Sequence, residues 1–289
     1  MIAIVLGVIG WKLRLVDVNM LLGGGVSSPA VPAQVSKEEQ EQFDFVKVVL
    51  ADTEDVWASK FNRIGKTYSL PSMVVYRGQV QTGCGVGSAD MGPFYCPADR
   101  KIYIDLSFYD ELARTLQSPG DFAQAYVVAH EVGHHVQKLL GISDKVYALR
   151  NQPNYNEYSV RLELQADYLA GVWTHHSQKY LDEGDVEEAM CAARAISDDA
   201  IQKQRQGRVV PHAFTHGTSE QRTRWFMKDL KSGALRRETR FLCLTRVYNA
   251  DLRVMKWQRG INCLSWLVTC NTQNNRIAGY AGGTSNIQH

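Results

Sequence analysis

The stretch Phe122-Ala-Gln-Ala-Tyr-Val-Val-Ala-His-Glu-Val-Gly-His-His-Val-Gln-Lys-Leu-Leu140 decides how this chain is read, because a run of apolar residues encloses one polar signature. That signature is His130-Glu131-Val132-Gly133-His134, an H-E-x-x-H pentapeptide in a helix-compatible segment. Histidines four apart lie on one face of an α-helix, about one turn from each other, so both imidazoles can reach a single metal ion. Glu131, between them, points toward the same cavity. Such a set suits a zinc-bound water with a carboxylate beside it to take its proton. The pentapeptide alone is weak evidence, since histidines on a solvated helix face carry the same letters. Its flanks argue for a buried helix. Val127, Val128, Val132 and Val136 surround the motif, and Glu131 is the only charge near it. Two histidines and a glutamate buried among valines are costly without a partner, and a metal ion satisfies all three. Ser118-Pro119-Gly120-Asp121 offers a capping residue and an early proline, and Gly141 offers a stop.

A catalytic zinc site usually has three protein ligands and one open position. The segment Arg161-Leu-Glu-Leu-Gln-Ala-Asp-Tyr-Leu-Ala-Gly171 is again helical in pattern, and Glu163 and Asp167 share a face four residues apart. Glu163 on a second helix packed against the first would complete a His-His-Glu set. Asp167, one turn on, would accept the free ring N–H of a ligand histidine. A solvated acidic face is the plain alternative, but Leu162, Leu164, Ala166, Leu169 and Ala170 surround these carboxylates. His135 projects about 100° away from His134 around the helix and belongs to packing or surface. His175 and His176 close the second helix as caps or surface residues.

Hydrolysis also needs a donor for the developing oxyanion. Arg208-Val-Val-Pro-His-Ala-Phe-Thr-His-Gly-Thr-Ser-Glu-Gln-Arg222 offers His212 and His216 in a loop, Thr218 or Ser219 as a helix cap, and Arg222 inside that helix. A loop histidine or the arginine could serve, with His216 as the candidate. An ordinary polar loop carries the same letters.

These residues resemble the bacterial neutral zinc metallopeptidase family (YpfJ-type proteins). The matching stretches are Val75-Tyr-Arg-Gly78, Thr82-Gly-Cys-Gly85, Met91-Gly-Pro-Phe-Tyr-Cys-Pro-Ala-Asp99, Ile102-Tyr-Ile-Asp-Leu-Ser-Phe-Tyr109, the H-E-V-G-H-H-V-Q helix, Glu163-Leu-Gln-Ala-Asp167, Gln206-Gly-Arg-Val-Val-Pro211 and Phe214-Thr-His-Gly-Thr-Ser219. They run in order across roughly residues 40 to 230. The resemblance implies a zinc-dependent peptidase of the gluzincin type with Glu163 as third ligand, held by one N-terminal anchor and a linker. The segment from Thr215 also resembles membrane-linked gluzincins that read Thr-His-Pro followed by an arginine. Gly217 departs from that pattern.

The rest of the chain frames this centre. A net charge of +2 over 289 residues argues against nucleic acid as the main partner. Residues 1–22 open with Met1-Ile-Ala-Ile-Val-Leu-Gly-Val-Ile-Gly-Trp11, short of the ~20 apolar residues a spanning helix needs, and they read as a truncated membrane anchor. Residues 23–37 read as a flexible linker. A helical pattern with Phe43, Val46, Val49 and Leu50 on one side runs from about Glu38 toward Trp57 and Phe61. Met73-Val-Val-Tyr76 and Lys101-Ile-Tyr-Ile-Asp105 read as strands, the second closing a hairpin with Phe94-Tyr95 that could hold an extended substrate. Cys84 and Cys96 are disulfide candidates for an oxidising compartment, or reduced thiols in a cytoplasmic one. Cys191, Cys243, Cys263 and Cys270 show no evident pairing. Residues 232–289 are basic and aperiodic, an atypical tail expected to be poorly ordered, with membrane or partner binding as the functional alternative.

The expectation is an α+β, zincin-like metallopeptidase domain over 38–231, with a small antiparallel sheet and the motif helix packed on the Glu-x-x-x-Asp helix. His130, His134 and Glu163 would hold one Zn2+ per chain, Glu131 and His216 would be catalytic, and Asp167 would orient a histidine. Protein or peptide is the expected substrate, at the bacterial cell envelope, with the chain inner-membrane anchored and its peptidase domain periplasmic or extracytoplasmic. A metal-stabilised envelope scaffold with little cleavage is the alternative.

Overall fold

Helix formation begins at Ser36. Its hydroxyl accepts the Glu39 N–H at 3.1 Å while the Glu39 carboxylate accepts the Ser36 N–H at 2.9 Å, a reciprocal cap that starts α1 (Lys37–Arg63). Ser36 and Lys37 thus belong to this helix rather than to the expected linker. Val46, Val49, Leu50, Trp57 and Phe61 form its buried side. The computed structural model describes residues 36–114 and 120–231. The apolar start, most of the linker and the basic tail lie outside the described residues. Among those described, no helix is long and apolar enough to cross a membrane.

Among the described residues five strands follow α1: β1 (Ser72–Tyr76), β2 (Gln79–Thr82), β3 (Gly85–Ser88), β4 (Phe94–Cys96) and β5 (Lys101–Asp105). The sheet beside the helices is mixed, not antiparallel as expected. Its order is β1-β5-β4, with β1 parallel to β5, Met73 opposite Ile102 and Val75 opposite Ile104. β4 pairs antiparallel with β5, Tyr95 opposite Ile102, which makes the hairpin read from the sequence. The apolar runs of β1 and β5 suit burial in either orientation, so pattern alone does not choose the pairing. Between them, β2 and β3 form their own antiparallel pair. Its two-residue turn, Gly83-Cys84, is fastened to β4 by a Cys84–Cys96 disulfide and to the turn between β4 and β5 by Asp99, which accepts the Gly83 N–H. Cys191 is disulfide-bonded as well.

The helices are α2 (Ser107–Arg114), α3 (Asp121–Leu139), α4 (Ile142–Tyr147), α5 (Tyr155–His176), α6 (Asp185–Ala195), α7 (Asp198–Gln206) and α8 (Ser219–Leu230). α3 is central and packs against α1, α5 and α6. Its cap differs from the expected one. The N-cap is Gly120, without a side-chain hydrogen bond, and Glu188 of α6 reaches across to accept the Phe122 N–H at 3.1 Å. A Cβ on Gly120 would fall 2.1 Å from that carboxylate and push it aside, and Gly120 itself takes φ 125°, which favours glycine. At the other end Gly141 takes φ 72° and stops the helix. Gly133, inside the pentapeptide, lets α5 close in, since a Cβ there would meet the Ala166 carbonyl at 3.0 Å.

Candidate metal centre

The close contact at Gly133 sets α3 and α5 face to face just where each carries its polar residues. His130, His134 and Glu163 converge there, each offering one ligand atom, all within 4.8 Å of one another. His130 Nε2 lies 3.2 Å from Glu163 Oε2 and His134 Nε2 lies 3.5 Å from Glu163 Oε1. The His130 side chain is 6% exposed, while those of His134 and Glu163 are 15% exposed, so the group is reachable from one side. Glu131 is buried beside it. Two imidazole nitrogens and a carboxylate are a donor set that suits zinc with one position left open.

Each histidine is held from behind, which fixes the nitrogen it presents. His130 Nδ1 donates to Asp167 Oδ1 at 2.8 Å. Asp167 is fully buried, and it also accepts Arg222 Nε at 2.9 Å, Arg222 Nη2 at 2.9 Å and the Tyr126 hydroxyl. His134 Nδ1 lies 2.9 Å from Gln137 Oε1. Both Nε2 atoms therefore face Glu163, the second-sphere arrangement that metal-ligating histidines use.

A family described as "Putative neutral zinc metallopeptidase" matches residues 1–241. This chain belongs to that family. It is 54% identical over 220 residues to the uncharacterized protein YpfJ of Escherichia coli strain K12, covering 74% of this chain and 77% of that one. It is also 41% identical over 179 residues to the uncharacterized protein Rv2575 of Mycobacterium tuberculosis, covering 57% of this chain and 60% of that one. No solved structure matches.

In this family member, electrostatics sort the acidic groups. Burial raises the pKa of Glu131, against the pull of His134 and His130, which moves the carboxyl toward the range of a working base. Burial would raise Glu163 too, but the charge of His134 and the hydrogen bonds from His130 and His134 hold it well below the usual carboxylate range. The loop histidine His216 is half-exposed. Its Nδ1 lies 3.3 Å from Asp198 Oδ1. That hydrogen bond raises its pKa against the effect of burial, and the Glu163 charge raises it further.

Asp198 was not legible as a functional residue, and it organises the loop. Its Oδ2 accepts three successive backbone N–H groups, from Thr215 at 2.8 Å, His216 at 2.6 Å and Gly217 at 2.8 Å. Gly217 sits at φ 94°, which proline cannot adopt, so the departure from Thr-His-Pro has a backbone reason. Thr218 caps α8, exchanging hydrogen bonds with Gln221 at 3.0 and 3.1 Å. Arg222 does not reach the open side. It is buried behind His130 and bound to Asp167, Tyr126 and the Ile196 carbonyl, which removes it as an oxyanion donor. His135 is fully buried against Tyr95 and the Ser69 carbonyl, and His175 binds the Leu230 carbonyl. His212 lies in an exposed turn. Gln137 is the other residue the sequence did not announce. A glutamine three positions after a histidine is too common a pattern to stand out.

Proposed function

We propose that the protein is a zinc-dependent metallopeptidase of the gluzincin type that hydrolyses peptide bonds. The convergence of His130, His134 and Glu163 beside a buried Glu131 carries this reading. Bound there, zinc would supply a Lewis acid for the peptide carbonyl and bring the pKa of water down toward ~7. Glu131 accepts a proton from the attacking water and passes it to the leaving amine. His216, steadied by Asp198, donates to the developing oxyanion. That β4 is the outer strand of its sheet and is tied to α3 through Tyr95 and His135 supports its edge as the holder of an extended peptide. The Cys84–Cys96 disulfide supports a location in an oxidising compartment, in keeping with the cell envelope and an N-terminal anchor.

Glu131→Gln is the test. The variant keeps zinc by metal analysis and loses cleavage of a peptide library by about 10²-fold or more. Undiminished cleavage, with contaminating proteases excluded, would overturn the assignment, and zinc without turnover in the wild-type protein would favour a scaffold. His216→Ala lowers kcat by about 10²–10³-fold with little change in KM.

A further inference from the structure

Gln137 lies nearly one turn beyond His134 on α3 and is fully buried. Its amide has a defined orientation. Nε2 donates to the Leu162 carbonyl at 2.6 Å and to Gln165 Oε1 at 3.1 Å, and a backbone carbonyl can only accept. With both amide hydrogens used, Oε1 faces His134 Nδ1 at 2.9 Å and can only accept in turn. Turning the amide over would set its oxygen against the Leu162 oxygen. His134 therefore carries a proton on Nδ1 and presents Nε2 toward Glu163. The same amide holds α5 on both sides of Glu163, through Leu162 just before it and Gln165 two positions after. Gln165 keeps this orientation although its own Nε2 has no hydrogen-bond partner among the described residues, so the demand of Gln137 prevails.

We infer that Gln137 is a positioning residue for the metal centre. It fixes the tautomer of His134 and locks α3 in register with α5 at Glu163, and thereby sets zinc affinity. The inference rests on reading His130, His134 and Glu163 as a zinc site.

Zinc affinity of the full chain, measured by chelator competition with circular dichroism to confirm folding, tests both statements separately. Gln137→Met removes the acceptor and both donors, and weakens zinc about 10–100-fold. Gln137→Glu restores the acceptor for His134 Nδ1, while a carboxyl carries at most one hydrogen and so keeps at most one of the two donor contacts to α5. Its zinc affinity stays within about tenfold of wild type, short of the loss expected when the supporting acceptor is gone. A folded Gln137→Met protein that binds zinc as tightly as wild type overturns the inference. So does a folded Gln137→Glu protein that loses tenfold or more, whether or not the methionine variant folds. A wild-type chain that binds no zinc overturns the metal site itself, a result distinct from either.

Discussion

Helix α3 meets carboxylates at two places, and they behave in opposite ways. At its first turn Asp121, Asp185 and Glu188 bring their oxygens within 4.8 Å of one another, and in its middle the two histidines meet Glu163 with Asp167 behind. Burial acts on both groups and favours the neutral acid in each. At the first turn burial prevails. Glu188 is pushed up to about 7 by burial and by the charge of Asp121, and Asp185 is raised by burial as well. In the middle, burial is overcome at Glu163 and Asp167. The Arg222 guanidinium and His130 hold Asp167 far below the usual carboxylate range. Depth in the fold does not separate the two sites. The balance of charge against burial does, with Arg222 and His130 packed directly against Asp167.

The largest effect comes from breaking the charged site. Asp167→Ala leaves the Arg222 guanidinium buried without its carboxylate, and removing one partner of such a pair costs about 3–5 kcal/mol. Urea denaturation of the zinc-free protein measures it, and a loss below about 1 kcal/mol would mean that Arg222 is not held by this pair. The sharper experiment is the double replacement Asp167→Leu with Arg222→Met, which removes both charges and keeps the volume apolar. Stability recovers most of the loss, since buried pairs exchanged for apolar residues are often neutral. Zinc affinity stays about 10–100-fold down, because His130 Nδ1 has lost its acceptor. If affinity recovers along with stability, Asp167 and Arg222 serve folding alone and the contrast between the two sites has no bearing on metal.

This contrast also marks what could be read in the sequence. The pentapeptide, Glu163 and Asp167 were legible because helical spacing puts each pair on one face, and apolar neighbours announce burial. Gly141 and Thr218 were legible as local helix signals. The partners that set charge and orientation were not. Asp198 meets His216, Glu188 meets the start of α3, and β1 meets β5, all through tertiary contacts that no short window contains. Arg222 stood in view, but sequence could not tell a donor on the open side from an ion pair behind His130. Chemistry at fixed helical spacing is visible in one dimension, while the direction of a side chain is not.

The smallest effect belongs to the first turn of α3, and its sign separates the two sites. Glu188 has a folded pKa of about 7 against an ordinary 4.5, so the unfolded chain releases this proton at lower pH than the folded one. Its contribution to stability is fully present below about 4.5 and is lost as pH rises through about 7. Asp167 runs the other way, giving stability above the ordinary carboxylate pKa near 3.8 that is lost only as pH falls through its depressed folded value. Glu188→Gln removes the first of these. The amide oxygen can still accept the Phe122 N–H, so the helix keeps its cap, and the variant's stability no longer declines between pH 4.5 and 7 for this reason. At pH 8 it should exceed wild type by on the order of 1 kcal/mol, with solvent screening of a partly exposed group allowed for. Zinc affinity should be unchanged. Urea denaturation across pH reads both: an unaltered slope between pH 4.5 and 7 would mean that the first-turn carboxylates titrate normally and that α3 does not carry two opposed acidic sites.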